Sequence, residues 1–344
     1  MTTASFALPE WRRCFGEPEV TGLIRTQDED FRVQEIPIIE PSGEGTHLWL
    51  EVEKRGANTN WVAEQLAANS GAALREIGFA GMKDRHGVTS QWFSLSLQEA
   101  RSADWEAWNS PGVSILQAHR HPRKLKRGTL KGNRFRIVVR SLEGNKAGLE
   151  NRLAALKSRG APNYFGPQRF GFNGKNVERG VRWLEQGGRL PRNRRSIYIS
   201  AVRSFLFNQV LSKRVTDESW DRILDGELAM LNGSHSLFIC AMPDAELDRR
   251  CAEFDIHPSG PLPGKEGLLP DREAARLELN LMEEHAGLVE SLKTAGLKAD
   301  RRALRVLPGK LEWQLTDDQL TLVFNLPAGA YATSILRELI HYEN

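Results

Sequence analysis

The stretch Leu130-Lys-Gly-Asn-Arg-Phe-Arg-Ile-Val-Val-Arg140 alternates with period two. Asn133, Phe135, Ile137 and Val139 fall on one side, and Arg134, Arg136, Val138 and Arg140 on the other. That spacing predicts a strand with one apolar face and one cationic face. Such a strand needs partners in a sheet, and the flanking sequence supplies them. Residues 48–53 and 88–97 read as strands upstream, and 319–326 reads as another downstream, with Leu320, Leu322, Phe324 and Leu326 inward. Helical patterns lie between and after them. One runs from Asn58-Thr59-Asn60 to Ser70-Gly71, and one covers 145–159 with Leu149, Leu153 and Leu156 on one stripe. A last one carries Ile335, Leu336, Leu339 and Ile340 behind a cap at Thr333 or Ser334. From 160 to about 307 the pattern turns mainly helical, with long candidates at 200–214 and 271–296. The connections there are rich in Gly and Pro, as in His257-Pro-Ser-Gly-Pro-Leu-Pro-Gly264. The expectation is an α+β chain: a domain of mixed α and β over 1–159 and 308–344, interrupted by a mainly α-helical domain over 160–307.

The chain has 344 residues, 40% hydrophobic and 26% charged, which suits two globular cores and excludes wholesale disorder. The N-terminus lacks a basic stretch followed by an apolar one, and no apolar run reaches the ~18 residues of a membrane span. A cytoplasmic location is expected. The three cysteines, Cys14, Cys240 and Cys251, form no CxxC, and their odd number suits a reducing compartment. A zinc site on Cys240, Cys251 and His235 has no usual ligand spacing, so no metal is expected and buried structural thiols are the better reading.

Forty-seven Lys and Arg against 44 Asp and Glu leave a net charge of +3. The distribution is less even than the sum. Residues 107–142 contain no Asp or Glu but nine cations: Arg120, Arg123, Lys124, Lys126, Arg127, Lys131, Arg134, Arg136 and Arg140. A solvated face normally mixes signs, so a polyanion partner is indicated. A second basic group, Arg189, Arg192, Arg194, Arg195 and Arg203, lies in the helical stretch. Two such groups on two domains fit a long, folded polyanion such as RNA better than a small phosphate. No GxxxxGK[ST] and no GxGxxG after a strand supports a nucleotide cofactor.

Three segments carry residue types suited to chemistry. Gly78-Phe-Ala-Gly-Met-Lys-Asp-Arg-His-Gly-Val-Thr-Ser-Gln-Trp92 sets Asp84 between Lys83 and Arg85 in a glycine-rich loop. Adjacent cations keep such a carboxylate ionised, as a nucleophile or base requires; a turn-holding Asp is the alternative. In Leu130-Lys-Gly-Asn-Arg-Phe135, Asn133 and Phe135 share a side, an amide for a base edge and an aromatic to stack on it. Plain core for Phe135 and a strand-entry role for Asn133 stay equally open. Pro162-Asn-Tyr-Phe-Gly-Pro-Gln-Arg-Phe-Gly171 combines aromatics with Gln168 and Arg169, read either as stacking with phosphate contact or as a packed hinge.

These strings, with Glu29-Asp-Phe31, Arg203-Ser-Phe-Leu-Phe-Asn-Gln209 and Leu326-Pro-Ala-Gly-Ala-Tyr-Ala-Thr-Ser334, resemble the TruD family of tRNA pseudouridine synthases, in order along nearly the whole chain. The resemblance implies a pseudouridine-synthase catalytic domain with a mixed, mostly antiparallel sheet, interrupted by a mainly α-helical TRUD insertion, and a monomer that isomerises uridine-13 of tRNA without cofactor. Carried over by motif, Asp84 is the nucleophile, while Phe31, Asn133 and Tyr331 line the substrate pocket. Phe135 takes a strand position beside the target base where other pseudouridine synthases tend to use Tyr. Tyr331 stands where Phe is expected. Lys83, Gln168 and Arg169 join the substrate-binding set. Arg120, Arg123, Lys124, Lys126, Arg127, Lys131, Arg192, Arg194 and Arg195 are expected to contact the RNA backbone. Two other classes compete: a structured-RNA-binding protein without catalysis, and a glycoside hydrolase, which would need a second carboxylate such as Glu35.

Overall fold

The computed structural model describes residues 8–343 except 84, 86, 101–104, 106, 107 and 235, and apart from the side chains of 99, 100 and 109. The described chain forms two compact units. One comprises residues 19–146, 308–329 and 340–344, the other 1–18, 147–307 and 330–339. The helix Lys146–Arg159, expected with the sheet domain, falls almost wholly in the second unit, and so does the last helix, Ala332–Leu339.

The first unit is built on an 11-stranded mixed sheet. Its centre is the strand predicted from the alternating stretch, extending over Leu130–Gly144. Phe135, Ile137 and Val139 are buried while Arg134 and Arg136 are exposed, as the period requires. On one side it pairs antiparallel with Phe31–Pro37, setting Asn133 opposite Glu35; on the other with Leu320–Pro327, setting Phe135 opposite Phe324. Beyond Phe31–Pro37 follow Val88–Ser96, His47–Arg55 and Val113–His121. Within this sheet, among the described residues, only the pairings of Phe31–Pro37 with Val88–Ser96 and of Val20–Ile24 with His341–Glu343 are parallel.

Val88–Ser96 is buried on both faces because both are covered. Phe93 and Leu95 share a core with Val62, Ala63 and Leu66 of the helix Thr59–Ser70. Trp92 packs on the opposite side with Trp49, Ala80 and Leu125. Leu125 is thus an apolar anchor inside the basic segment. It holds that segment to the sheet while Arg120, Arg123, Lys126, Arg127 and Lys131 stay exposed.

The second unit centres on the 25-residue helix Arg192–Thr216, longer at both ends than its apolar pattern suggested. Phe205, Leu206, Phe207 and Leu211 from this helix pack with Tyr164, Phe165 and Phe170. The expected single helix over 271–296 is two, Arg272–Glu283 and Ala286–Thr294. Thr333 and Ser334 lie inside the last helix instead of capping it, and the Ser334 hydroxyl donates to the Tyr164 carbonyl at 2.7 Å.

This unit also contains a four-stranded antiparallel sheet that the helical reading missed. The Gly/Pro-rich stretch read as a loop is its strand Ile256–Leu262. The prolines are tolerated because the strand changes partner halfway. Residues 256–258 pair with Glu227–Leu231 and 259–262 with Asp300–Ala303, so each half has one side free of the ladder. Cys240 and Cys251 are buried beside this sheet, and burial pushes the Cys240 thiol up to about 11. His235 lies outside the described residues, and no described helix is long and apolar enough to cross a membrane.

Buried arginines knit the sheet to the helices. Arg214 pairs with Glu227 at 2.8 Å and Arg301 with Glu278, all four side chains being nearly inaccessible. Arg305 donates to the carbonyl oxygens of Cys251 and Ile256 and, through Nε, to His257 Nδ1 at 3.2 Å. His257 must therefore be unprotonated at Nδ1. Burial and the neighbouring Arg305 hold its pKa down at about 4. A depressed histidine pKa contributes stability that is complete above the unfolded value of about 6.5 and is lost as pH falls through the folded one. His257→Asn keeps an acceptor toward Arg305 but removes the titration. Between pH 7 and pH 4 the wild type should lose on the order of 2 to 3 kcal/mol more stability than His257→Asn, measured by urea denaturation.

Candidate active site

The loop bearing residues 81–87 is fixed from several directions, although Asp84 and His86 themselves lie outside the described residues. Before residue 84, the Gln91 side chain donates to the Gly81 carbonyl at 3.1 Å and accepts from the Thr59 hydroxyl at 2.8 Å. Thr59 Oγ1 in turn accepts the Lys83 backbone N–H at 3.0 Å. Both Thr59 and Gln91 are fully buried, so the exchange takes place without water. After residue 84, Arg85 Nε donates to the Gly56 carbonyl at 3.0 Å. Gly87 has φ +120°, and a Cβ there would run into the carbonyl oxygen of Phe31. Only glycine permits this approach of the loop to the sheet.

The Lys83 side chain does not extend to solvent. Its ammonium sits 3.0 Å from Glu35 Oε2 and donates to Asn133 Oδ1 at 2.7 Å. The side chains of Lys83 and Glu35 are 6% and 1% exposed, which makes this a buried charge pair. Burial pushes the Glu35 carboxyl up, and the Lys83 ammonium opposes that shift. Glu35 and Asn133 are cross-strand partners, so the lysine bridges two strands and one loop. Because Asn133 accepts through Oδ1, its Nδ2 carries the donor edge left for a ligand. A residue read as substrate-binding thus holds another in place. Glu35, considered above only as the second carboxylate of a hydrolase, is already paired. The legible signal was its inward position in the alternation Phe31, Val33, Glu35, where a carboxylate requires a partner.

Phe31 is buried, with the Arg25 guanidinium 4.3 Å from its ring centroid. Phe135 meets Phe31 edge-on at 6.3 Å and stacks on Phe324 at 5.5 Å. It sits in packed aromatic core and backs Phe31.

The basic segment is tied next to this loop. Trp49 Nε1 donates to the Arg123 carbonyl at 2.8 Å, the Leu125 N–H to Ser94 Oγ at 2.8 Å, and the Gly128 N–H to the Ala80 carbonyl at 2.8 Å. The ties are made by backbone groups, leaving the charged heads outward. Lys124 differs, its ammonium donating to the Arg75 carbonyl at 2.7 Å and lying 3.5 Å from Glu76. Arg140, counted in the same cationic window, forms a bidentate pair with buried Asp30 at 2.7 to 3.0 Å and is structural.

Tyr331, Gln168, Arg169, Arg192, Arg194 and Arg195 belong to the helix-rich unit. The Tyr331 hydroxyl, the group added where phenylalanine was expected, accepts from Arg169 Nε at 2.9 Å, and Arg169 Nη1 donates to Ser200 Oγ at 2.9 Å. Asn163, Tyr164 and Phe165 of the same segment are buried, as a packed connection requires, whereas Gln168 is exposed. Arg192, Arg194 and Arg195 lie in the exposed first turn of the long helix.

Removing one member of a buried pair strands the other charge. Lys83→Met is expected to lower stability by about 3 to 5 kcal/mol, and the double variant Glu35→Leu/Lys83→Met to recover most of it, in urea titrations followed by circular dichroism.

The sequence profile described as tRNA pseudouridine synthase D (TruD) matches residues 12–181 and 176–339. The curated tRNA pseudouridine synthase D of Methylococcus capsulatus is 44% identical over 333 residues, covering 96% of this chain and 94% of its own. That of Nitrosococcus oceani is 46% identical over 328 residues, covering 94% and 91%. A solved structure from Methanosarcina mazei, assigned as a tRNA pseudouridine synthase D, superposes with a TM-score of 0.73 at 21% identity over 97% of this chain and 95% of that one, a likeness of fold. With the profile and relatives above 40% identity both spanning nearly all of it, the chain belongs to the tRNA pseudouridine synthase D (TruD) family.

Proposed function

We propose that the protein is a cytoplasmic isomerase that converts uridine-13 of tRNA to pseudouridine, with Asp84 as its nucleophile and no metal or organic cofactor. One observation carries the reading. Family membership covers the loop of Asp84, and that loop is held before residue 84 by buried polar groups, of which Lys83 also orients Asn133, and after it by Arg85 and the close approach of Gly87.

The reaction breaks the bond from N1 to C1′, turns the uracil, forms a bond from C5 to C1′ and transfers the C5 hydrogen to solvent while N1 gains a proton. An ionised carboxylate serves this by attacking C1′, by taking the C2′ proton to give a glycal-like intermediate, or by adding to C6. The detached uracil must be kept and turned. The donor edge of Asn133 suits a uracil carbonyl, and Lys83 prevents that amide from reversing. Phe31, backed by Phe135, and Tyr331, braced by Arg169, are the aromatic groups assigned to the base, with Gln168 next to Arg169 in sequence. A base within a helical RNA has to be extruded at a cost of a few kcal/mol. The exposed cations Arg120, Arg123, Lys126, Arg127 and Lys131, with Arg192, Arg194 and Arg195, provide phosphate contacts to offset that cost.

Tritium release from tRNA labelled at uracil C5 tests the activity, and carbodiimide mapping of the product tests position 13. Asp84→Asn should fold and bind tRNA but release no tritium. Turnover in that variant removes Asp84 from the nucleophile role. A wild type that binds tRNA and releases nothing is instead an RNA-binding protein without catalysis.

A further inference from the structure

Several arginines of the helix-rich unit face neutral partners. Arg302, buried and pulled down to about 10 by desolvation, donates to Asn163 and lies over the Phe165 ring at 4.2 Å. Arg195 lies over the Trp183 ring at 4.8 Å. Arg203 donates through Nη2 to the carbonyl oxygens of Leu262 and Lys298 at 2.8 and 3.0 Å, while its Nε is buried without a partner. Burial disfavours the charge on Arg203 by more than the nearby Asp300 carboxylate supports it, so an anion brought to it would relieve a standing cost.

Arg192, Arg195 and Arg203 line one cavity of about 540 Å³. Helical spacing explains the grouping. Positions 192, 195 and 196, 199 and 200, and 203 recur every three or four residues and so occupy one face of the helix Arg192–Thr216. The hydroxyls of Ser196 and Ser200 lie on the same wall, and Ile199, Leu262 and Leu297 supply an apolar one. No carboxylate contributes to the lining. Guanidinium forks and hydroxyls are the donors a phosphodiester accepts from, an apolar wall suits a flat base, and ligand cavities of this type hold about 300 to 1,000 Å³.

We propose that this cavity seats a single nucleotide of the RNA in addition to the target uridine, its phosphate against Arg192, Arg195 and Arg203 and its base against the apolar wall. The proposal rests on the reading that the protein acts on tRNA. It differs from a flat basic patch in requiring open volume as well as charge, and the two requirements separate experimentally.

Filter binding of an unmodified tRNA transcript to the full chain, over about 50 to 200 mM salt, reads both. Ser196→Trp fills the cavity and leaves every charge. It should weaken binding about tenfold with the wild-type salt slope. Arg192→Gln/Arg195→Gln alters two exposed side chains and should weaken binding while reducing the slope by about 2, one for each lost phosphate contact. Wild-type affinity in the arginine variant overturns the proposal whatever Ser196→Trp does. So does a Ser196→Trp protein with unchanged thermal melting and affinity within about twofold of wild type, since a flat patch would then suffice. The wild type separates the two readings: pseudouridine formation without any effect of these variants rejects only the cavity, whereas a wild type that neither binds nor modifies tRNA rejects the tRNA reading and the cavity with it.

Discussion

A lysine ammonium enclosed by a carboxylate and an amide holds the candidate active site together. Lys83 can be buried because Glu35 neutralises it and Asn133 accepts one of its hydrogens. Neither charge could remain there alone, since desolvating a single ion costs several kcal/mol. Loop and sheet are therefore committed to each other. The loop cannot lift without taking Lys83 from Glu35 and leaving that carboxylate buried and unpaired, and the strand register cannot slip without separating Glu35 from Asn133. Thr59 and Gln91 add a second, neutral tie to the same loop, and Gly87 allows the close approach that both ties need. A reaction that holds a detached uracil while it turns benefits from groups fixed beforehand, because no binding energy then goes into ordering them.

The arginines divide into two populations that the net charge of +3 conceals. Arg214, Arg301 and Arg305 are internal, and half-exposed Arg140 reaches the buried Asp30; all four are satisfied by carboxylates or carbonyl oxygens and join strands to helices. Arg120, Arg123, Arg127, Arg192, Arg194 and Arg195 face outward. In the sheet unit the outward set is displayed by backbone ties and one apolar anchor, Leu125, which leave the side chains free to meet phosphates. Arg203 stands between the two populations, held by carbonyls on one edge and unpartnered on another.

Where sequence reading and structure diverge, local pattern and tertiary context disagree. His257-Pro-Ser-Gly-Pro-Leu-Pro-Gly264 has the composition of a loop, yet residues 256–262 form an interior strand because each half is paired on one side only. The first turn of the helix Arg192–Thr216 has no apolar stripe, and only its outward orientation explains its polarity. Lys83 adjoins Asp84 and is a cation expected to keep that carboxylate ionised and to contact the substrate. Adjacency along the chain does not determine direction, and its side chain runs into the sheet.

By itself the sequence determined the alternating central strand, the helix Thr59–Ser70, the α+β class and, through motifs running the length of the chain, the family. Each of these is written in local periodicity or in strings of specific residues. Tertiary structure decided which cations are internal and which are displayed, that Glu35 partners Lys83, that the helix-rich unit holds a sheet of its own, and that Arg192, Arg195 and Arg203 share a cavity. Those outcomes depend on pairings between residues such as Glu35 and Lys83, or Arg203 and Lys298, which only folding brings together. Burial and partnership set the energy of a charge, and neither is encoded in the residue that bears it.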